Sequence, residues 1–179
     1  EEAEGSTLWT PLGIAAKALS IDRNDVSSAL LKARERWLKT PQLTELRNHF
    51  ESLLSTQGGV MTVPELASAL LAMRGCASQD DAERMRLATA VVRACCEAEA
   101  HLERLRFQEF EHRPWPLIAV SAELAEYARR LGASADACAQ AEPLLTPQRA
   151  RETLEAVPAP EANPALAAQR LLRLATAAS

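Results

Sequence analysis

Apolar residues recur at spacings of three and four along most of this chain, the mark of amphipathic helices. The clearest case is Thr10 to Thr40, TPLGIAAKALSIDRNDVSSALLKARERWLKT. It predicts two helices joined by a tight turn at Ser20. Thr10 suits the N-cap and Pro11 the first turn of the first helix. Trp9 would pack ahead of that cap, and Ala16 is small enough for a close crossing. Asp22 caps the second helix, with Asp25 placed for a weak capping box. Val26, Ala29, Leu30, Ala33 and Trp37 predict one buried stripe. The pattern is that of a helix-turn-helix, with Ser20 where glycine is usual.

The chain continues in the same period, with one interruption. Thr40 and Pro41 open a helix carrying Leu43, Leu46, Phe50, Leu53 and Leu54, and Gln57-Gly58-Gly59 ends it. Val60-Met61-Thr62 is a short extended piece. Thr62 and Glu65 form a T-x-x-E capping box. The next helix runs through Leu66, Ala69, Leu70 and Met73 to Gly75. Gln79 to about Glu103 is the longest predicted helix, with Met85, Ala88, Val92, Cys95 and Leu102 inward. The period then changes. LRFQEFE (105–111) and LIAV (117–120) flank the Pro-containing turn HRPWP, which predicts a β-hairpin. Helix, short strand, helix, helix, hairpin is the order of a winged helix, with Arg113 and Trp115 near the tip of the wing.

Further helices follow at Ser121–Leu131, stopped by Gly132, and at Ser134–Ala141. Thr146-Pro147 and Asn163-Pro164 each open another by a cap and a proline. Val157-Pro158-Ala159-Pro160 separates these two as a stiff linker. The predicted fold is mainly α: a helix-turn-helix unit (9–57), a winged-helix-like unit (58–120) with its hairpin at 105–120, and C-terminal helices (121–179). Residues 1–8 form an acidic lead-in. A first residue of Glu, not Met, and an ending at Ala-Ala-Ser point to a fragment or a processed chain.

Composition narrows the function. The 179 residues carry a net charge of −4 and are 47% hydrophobic but only 4% aromatic, which favours close-packed helices. There is no bulk electrostatic pull on nucleic acid. The charge is uneven, however. Residues 5–58 hold seven Lys/Arg against five Asp/Glu, whereas residues 59–113 hold seven against nine. No apolar run approaches the roughly 18 residues of a membrane span. The four cysteines lack zinc spacing, so reduced thiols in a cytoplasmic protein are the expectation. Glu97 and His101 share a helix face near Cys95, but no second pair completes a metal set. His49 and His112 have no evident partners. No cofactor motif and no catalytic set is visible.

The stretches KARERW (32–37), LTELR (43–47), GGVMTVPELASALLAMRG (58–75) and AEYARRLGA (125–133), with the ending LATAAS, add a resemblance. They look like the C-terminal region of the PglW family, large serine/threonine kinases of phage-growth-limitation (type 2 BREX) defence systems. In that family a kinase domain lies upstream. The chain itself has no H-R-D loop, no D-F-G and no Gly-rich phosphate loop, so no kinase residue carries over. The resemblance implies the setting of a larger bacterial kinase rather than catalysis by this segment.

The candidate site is therefore the second helix. Arg23 and Asn24 suit guanine and adenine edges, Ser27 and Ser28 either base edges or phosphate, and Lys32 and Arg36 phosphate, with Arg34 and Lys39 beside them. Asp22 and Asp25 oppose such a contact. Arg84, Arg86, Arg93, Arg106 and Arg113 offer a weaker second basic set, in the winged unit. Trp115, between two prolines, is the aromatic expected to be exposed, and with Arg113 it marks a partner contact. Two readings stand: a non-catalytic region that binds double-stranded DNA and regulates a distant kinase domain, or a scaffold that docks other defence-system proteins.

Overall fold

A computed structural model of the chain describes residues 12–141, 146–161 and 166–179. Trp9, Thr10, Pro11 and the Asn163-Pro164 opening lie outside the described residues. The fold is mainly α with a small antiparallel sheet. Leu12–Leu19 (α1) and Arg23–Lys39 (α2) are joined by a turn in which Ser20 has φ +55°, the left-handed region that its position between two helices demands. Asp22 caps α2 by accepting from the Asn24 N–H at 2.7 Å. Pro41–Thr56 (α3) follows directly. Thr40 makes no side-chain cap there, and instead its hydroxyl donates back to the Arg36 carbonyl at 2.9 Å.

Two left-handed glycines, Gly58 and Gly59, turn the chain out of α3 into Val60–Thr62 (β1). The Thr62–Glu65 capping box forms in full and starts Val63–Arg74 (α4), which Gly75 closes at φ +70°. Asp81–Glu99 (α5) then leads to the hairpin of Gln108–Phe110 (β2) and Leu117–Ala119 (β3). The hairpin is where the change of period puts it. β3 is the central strand: it pairs with β1 on one side and β2 on the other, with Val60 opposite Ala119 and Glu109 opposite Ile118.

Strand alternation decides what covers this sheet, because successive side chains point to opposite faces. Met61 and Ile118 enter a cluster with Phe50, Leu54, Leu66, Val92 and Phe107 from α3, α4, α5 and the approach to β2. Val60, Leu117 and Ala119 enter a second cluster with Leu124, Leu131, Leu154, Leu171 and Leu174. Those come from Ala122–Ala141 (α6), Pro147–Glu155 (α7) and Ala168–Ala178 (α8). β1 and β3 thus form a thin layer buried between two helical layers, while β2 is an edge strand with Gln108 and Glu109 exposed.

Several expectations need correction. α6 is one helix running through Gly132 and is a residue longer than α5. Gly132 does not stop it. A Cβ there would lie 2.0 Å from the Ala178 carbonyl oxygen, so the glycine exists for the close approach of α8. α5 ends at Glu99, which leaves Leu102 beyond the helix. Met73 is exposed. The stripe on α2 is only half-buried: no residue of that helix is fully enclosed, and Ala29 is exposed.

Polar staples fix α8. The Arg170 guanidinium donates to the Gln57 carbonyl (2.9 Å), the Val60 carbonyl (2.6 Å) and Glu65 Oε1 (2.6 Å). It thereby satisfies carbonyls left open where α3 ends and β1 begins. His112 does have a partner: its Nε2 lies 2.7 Å from the Ala178 carbonyl oxygen. Gly132→Ala is expected to push α8 off α6 and to cost about 1–3 kcal/mol, the usual range for overpacking. Urea denaturation of the two proteins checks this.

Candidate nucleic-acid interface

Arg23, Asn24, Ser27, Ser28, Lys32 and Arg36 are all exposed on α2, as is Lys39. They do not form one surface. At 3.6 residues per turn, Asn24, Ser28, Lys32 and Arg36 follow one another at intervals of four, and Lys39 continues the row three residues on. Arg23 lies nine positions before Lys32, about two and a half turns, so it points to the other side of the helix. Asp25, about two turns before Lys32, is on the same side as the lysine. The row is therefore acidic at its start, with Asp22 and Asp25, and basic over its last two turns. Glu35 flanks the basic end.

Arg34 is taken out of this set. Its Nε donates to Glu97 Oε2 at 2.8 Å, its Nη2 bonds the same oxygen, and Arg93 Nε lies 3.6 Å from the other. This tie joins α2 to the last turn of α5. Glu97 thus serves an arginine pair, and Cys95 behind it is buried while His101 is exposed, so the three are not arranged as ligands. Among the described residues no group of three His, Cys, Asp or Glu is placed to hold a metal.

The remaining basic candidates are mostly paired. Arg84 meets Asp81 at 3.0 Å and Arg86 meets Glu83 at 3.5 Å. Arg113 and Trp115 are exposed at the hairpin turn, where the Arg113–Pro114 bond is cis. By contrast, Lys17, Arg23, Lys32, Arg36 and Lys39 meet no carboxylate among the described residues. Arg104, Arg113 and Arg173 likewise meet no carboxylate among the described residues, but they are scattered, whereas Lys32, Arg36 and Lys39 follow one another on a single helix.

The most elaborate electrostatics lie elsewhere, on residues the periodicity did not single out. Glu99, the last residue of α5, is fully buried. Arg106 embraces it: the backbone N–H and Nε donate to Oε1 (3.1 and 2.8 Å), and Nη2 to Oε2 (2.7 Å). Arg47 Nη1 adds a bond to Oε2 at 3.3 Å. Arg106 Nη1 continues to Asn48 Oδ1 (2.7 Å) and Glu51 Oε2 (3.0 Å) on α3. Burial pushes the Glu99 carboxyl up, but the hydrogen bonds and charge of Arg106, helped by Arg47, outweigh it and hold the group below its ordinary value. Arg106 is correspondingly raised by Glu99. The sign was readable: Glu99 stands four after Cys95 and seven after Val92, a carboxylate in phase with an apolar stripe. Burial also pushes the Cys95 thiol up to about 12, against the pull of Arg47, and Cys96 well above its usual value. Both thiols stay protonated and are poor nucleophiles.

An apolar groove of about 340 Å³ opens between α3, α4 and α5. Leu46, Leu70, Leu87 and Val91 line it, and the Arg74–Glu45 ion pair crosses its rim. No titratable pair converges inside it.

With this geometry in place, the chain compares as follows. It resembles a region of PglW: it is 28% identical over 197 aligned positions to the probable kinase PglW of Streptomyces coelicolor (strain ATCC BAA-471 / A3(2) / M145). The match covers 98% of this chain and 12% of that protein, so the chain spans about an eighth of the relative. No family model matches the sequence, and no solved structure matches it. No helix among the described residues is long and apolar enough to cross a membrane.

Because the Glu99 carboxyl titrates below its unfolded value, its contribution to stability is full above pH about 4.3 and is lost as pH falls through the folded value. Glu99→Gln is expected to be less stable at neutral pH and to lose less stability on acidification. Arg106→Ala leaves a buried charge with only Arg47, and its expected cost is about 3–5 kcal/mol at neutral pH. Denaturant unfolding at pH 7 and at about pH 2.5, well into the window in which the contribution is lost, measures both.

Proposed function

We propose that this chain is a non-catalytic DNA-binding and regulatory region of a larger bacterial serine/threonine kinase in phage defence, and that it contacts double-stranded DNA through α2. One observation carries the reading: the basic end of α2 is exposed and meets no carboxylate among the described residues, in a chain whose net charge is −4 and whose other arginines mostly meet carboxylates. A cluster of free cations is costly to leave facing itself, and phosphate is the partner that relieves it. The likeness to a region of a probable kinase supplies the setting. By this reading α1–α2 is a helix-turn-helix unit. Residues 58–120 form a winged-helix-like unit; their order β1, α4, α5, β2, β3, with α3 just ahead as the first helix, and the sheet order β1-β3-β2 support it. Residues 121–179 back the sheet. DNA engagement would position or gate the kinase domain, which lies elsewhere in the parent protein.

A second reading has its own observation. Ile14, Leu19, Ile21 and Leu31 expose 59, 64, 47 and 48% of their surface along α1, the turn and α2. Side chains of this kind suit a protein partner, and Trp115 with Arg113 at the wing offers another contact. On this reading the region docks other proteins of the defence system.

A mixed-sequence duplex, titrated into the protein at 50 and 200 mM salt, tests the first reading. Binding that weakens at least tenfold at the higher salt, and that Lys32→Glu with Arg36→Glu abolishes, is the expected result. Absence of binding at 50 mM salt overturns it and leaves the docking reading.

A further inference from the structure

We infer that α2 meets the duplex with its C-terminal half laid along the phosphate backbone, not with its N-terminus in the major groove. This rests on the DNA reading above and deepens it. A recognition helix of the usual kind presents its first turns to base edges. Here the first turn carries Asp22 and Asp25, and Asp22 is held in place as the cap, accepting from Asn24 N–H at 2.7 Å. Driving that end between two phosphate strands sets two carboxylates against phosphate. The only guanine-reading side chain of the first turn, Arg23, points about half a turn away from Lys32, so one pose cannot use both. The other end has the opposite character. Lys32, Arg36 and Lys39 lie on adjoining turns of one side, span about 10.5 Å along the axis and meet no carboxylate among the described residues. Arg36 and Lys39 also offset the negative end of the helix dipole, which would otherwise repel phosphate.

Two properties follow. About three phosphates are neutralised, so log K is expected to fall against log salt with a slope near −2.7, taking about −0.9 per contact. Binding is indifferent to sequence, because phosphate contacts carry no base information.

The test uses the 179-residue chain with two 20-bp duplexes of unrelated sequence over a series of salt concentrations. Lys32→Ala, Arg36→Ala and Lys39→Ala are each expected to reduce the slope by about one on both duplexes. Arg23→Ala and Asn24→Ala are expected to leave slope and affinity unchanged, and Asp25→Asn to tighten binding. Circular dichroism confirms that each variant is folded, which the exposure of these positions favours. If Arg23→Ala or Asn24→Ala weakens binding to one duplex more than to the other, the N-terminal pose is correct and the inference is overturned, while the DNA reading survives. If the unaltered chain binds neither duplex at low salt, both fall.

Discussion

The buried carboxylate of Glu99 is the constraint on which the junction of α3, α5 and the hairpin depends. It sits at the C-terminal end of α5, where the helix dipole is unfavourable to a negative charge. It is removed from water as well. Two arginines make the position tenable. Arg106 arrives from the chain leading into β2, and Arg47 from the middle of α3. The same guanidinium that satisfies Glu99 reaches Asn48 and Glu51, so three segments distant in sequence are joined at one point. A charge that cannot be left alone thereby fixes where the long helix ends and where the hairpin starts.

Around that point the molecule is built in layers. The sheet has strands of only three residues each, too short to be stable by themselves. Its stability comes from cover on both sides, and the alternation of Val60, Met61, Leu117, Ile118 and Ala119 assigns each side chain to one cover or the other. The second cover is held by apolar packing and by Arg170, whose three bonds end on two backbone carbonyls and on the Glu65 of a capping box. α8 thus closes over a junction that the preceding elements leave partly unsatisfied.

The elements that were legible in the sequence are those governed by local rules. Asp22, Thr62 and Thr146 cap their helices, and the Gly58-Gly59 and Gly75 stops fall where glycine chemistry puts them. The hairpin is announced by the change of period at 105–120. What escaped depended on residues far apart in sequence. Gly132 reads locally as a helix stop, and only the approach of Ala178, some forty-six residues later, gives it another purpose. His112 has no neighbour in sequence to suggest its bond to the Ala178 carbonyl. Arg34 looks like one more cation on α2 until α5 brings Glu97 beside it. For the candidate interface, residue types and the half-turn between Arg23 and Lys32 were readable from the spacing, but which cations are taken up by carboxylates depends on elements distant in sequence.

The lack of a fully enclosed residue on α2 has a consequence for how the molecule can vary. Substitutions that alter its outer side remove no core contact and leave no cavity, so they carry almost no folding penalty. The two sheet covers have no such freedom, because a change of one methylene there is felt by every neighbour. Descendants of this sequence can therefore recast the charge and shape of the first helical pair over many substitutions while the layers beneath stay constant. The fold separates a tightly constrained frame from a face that tolerates substitution.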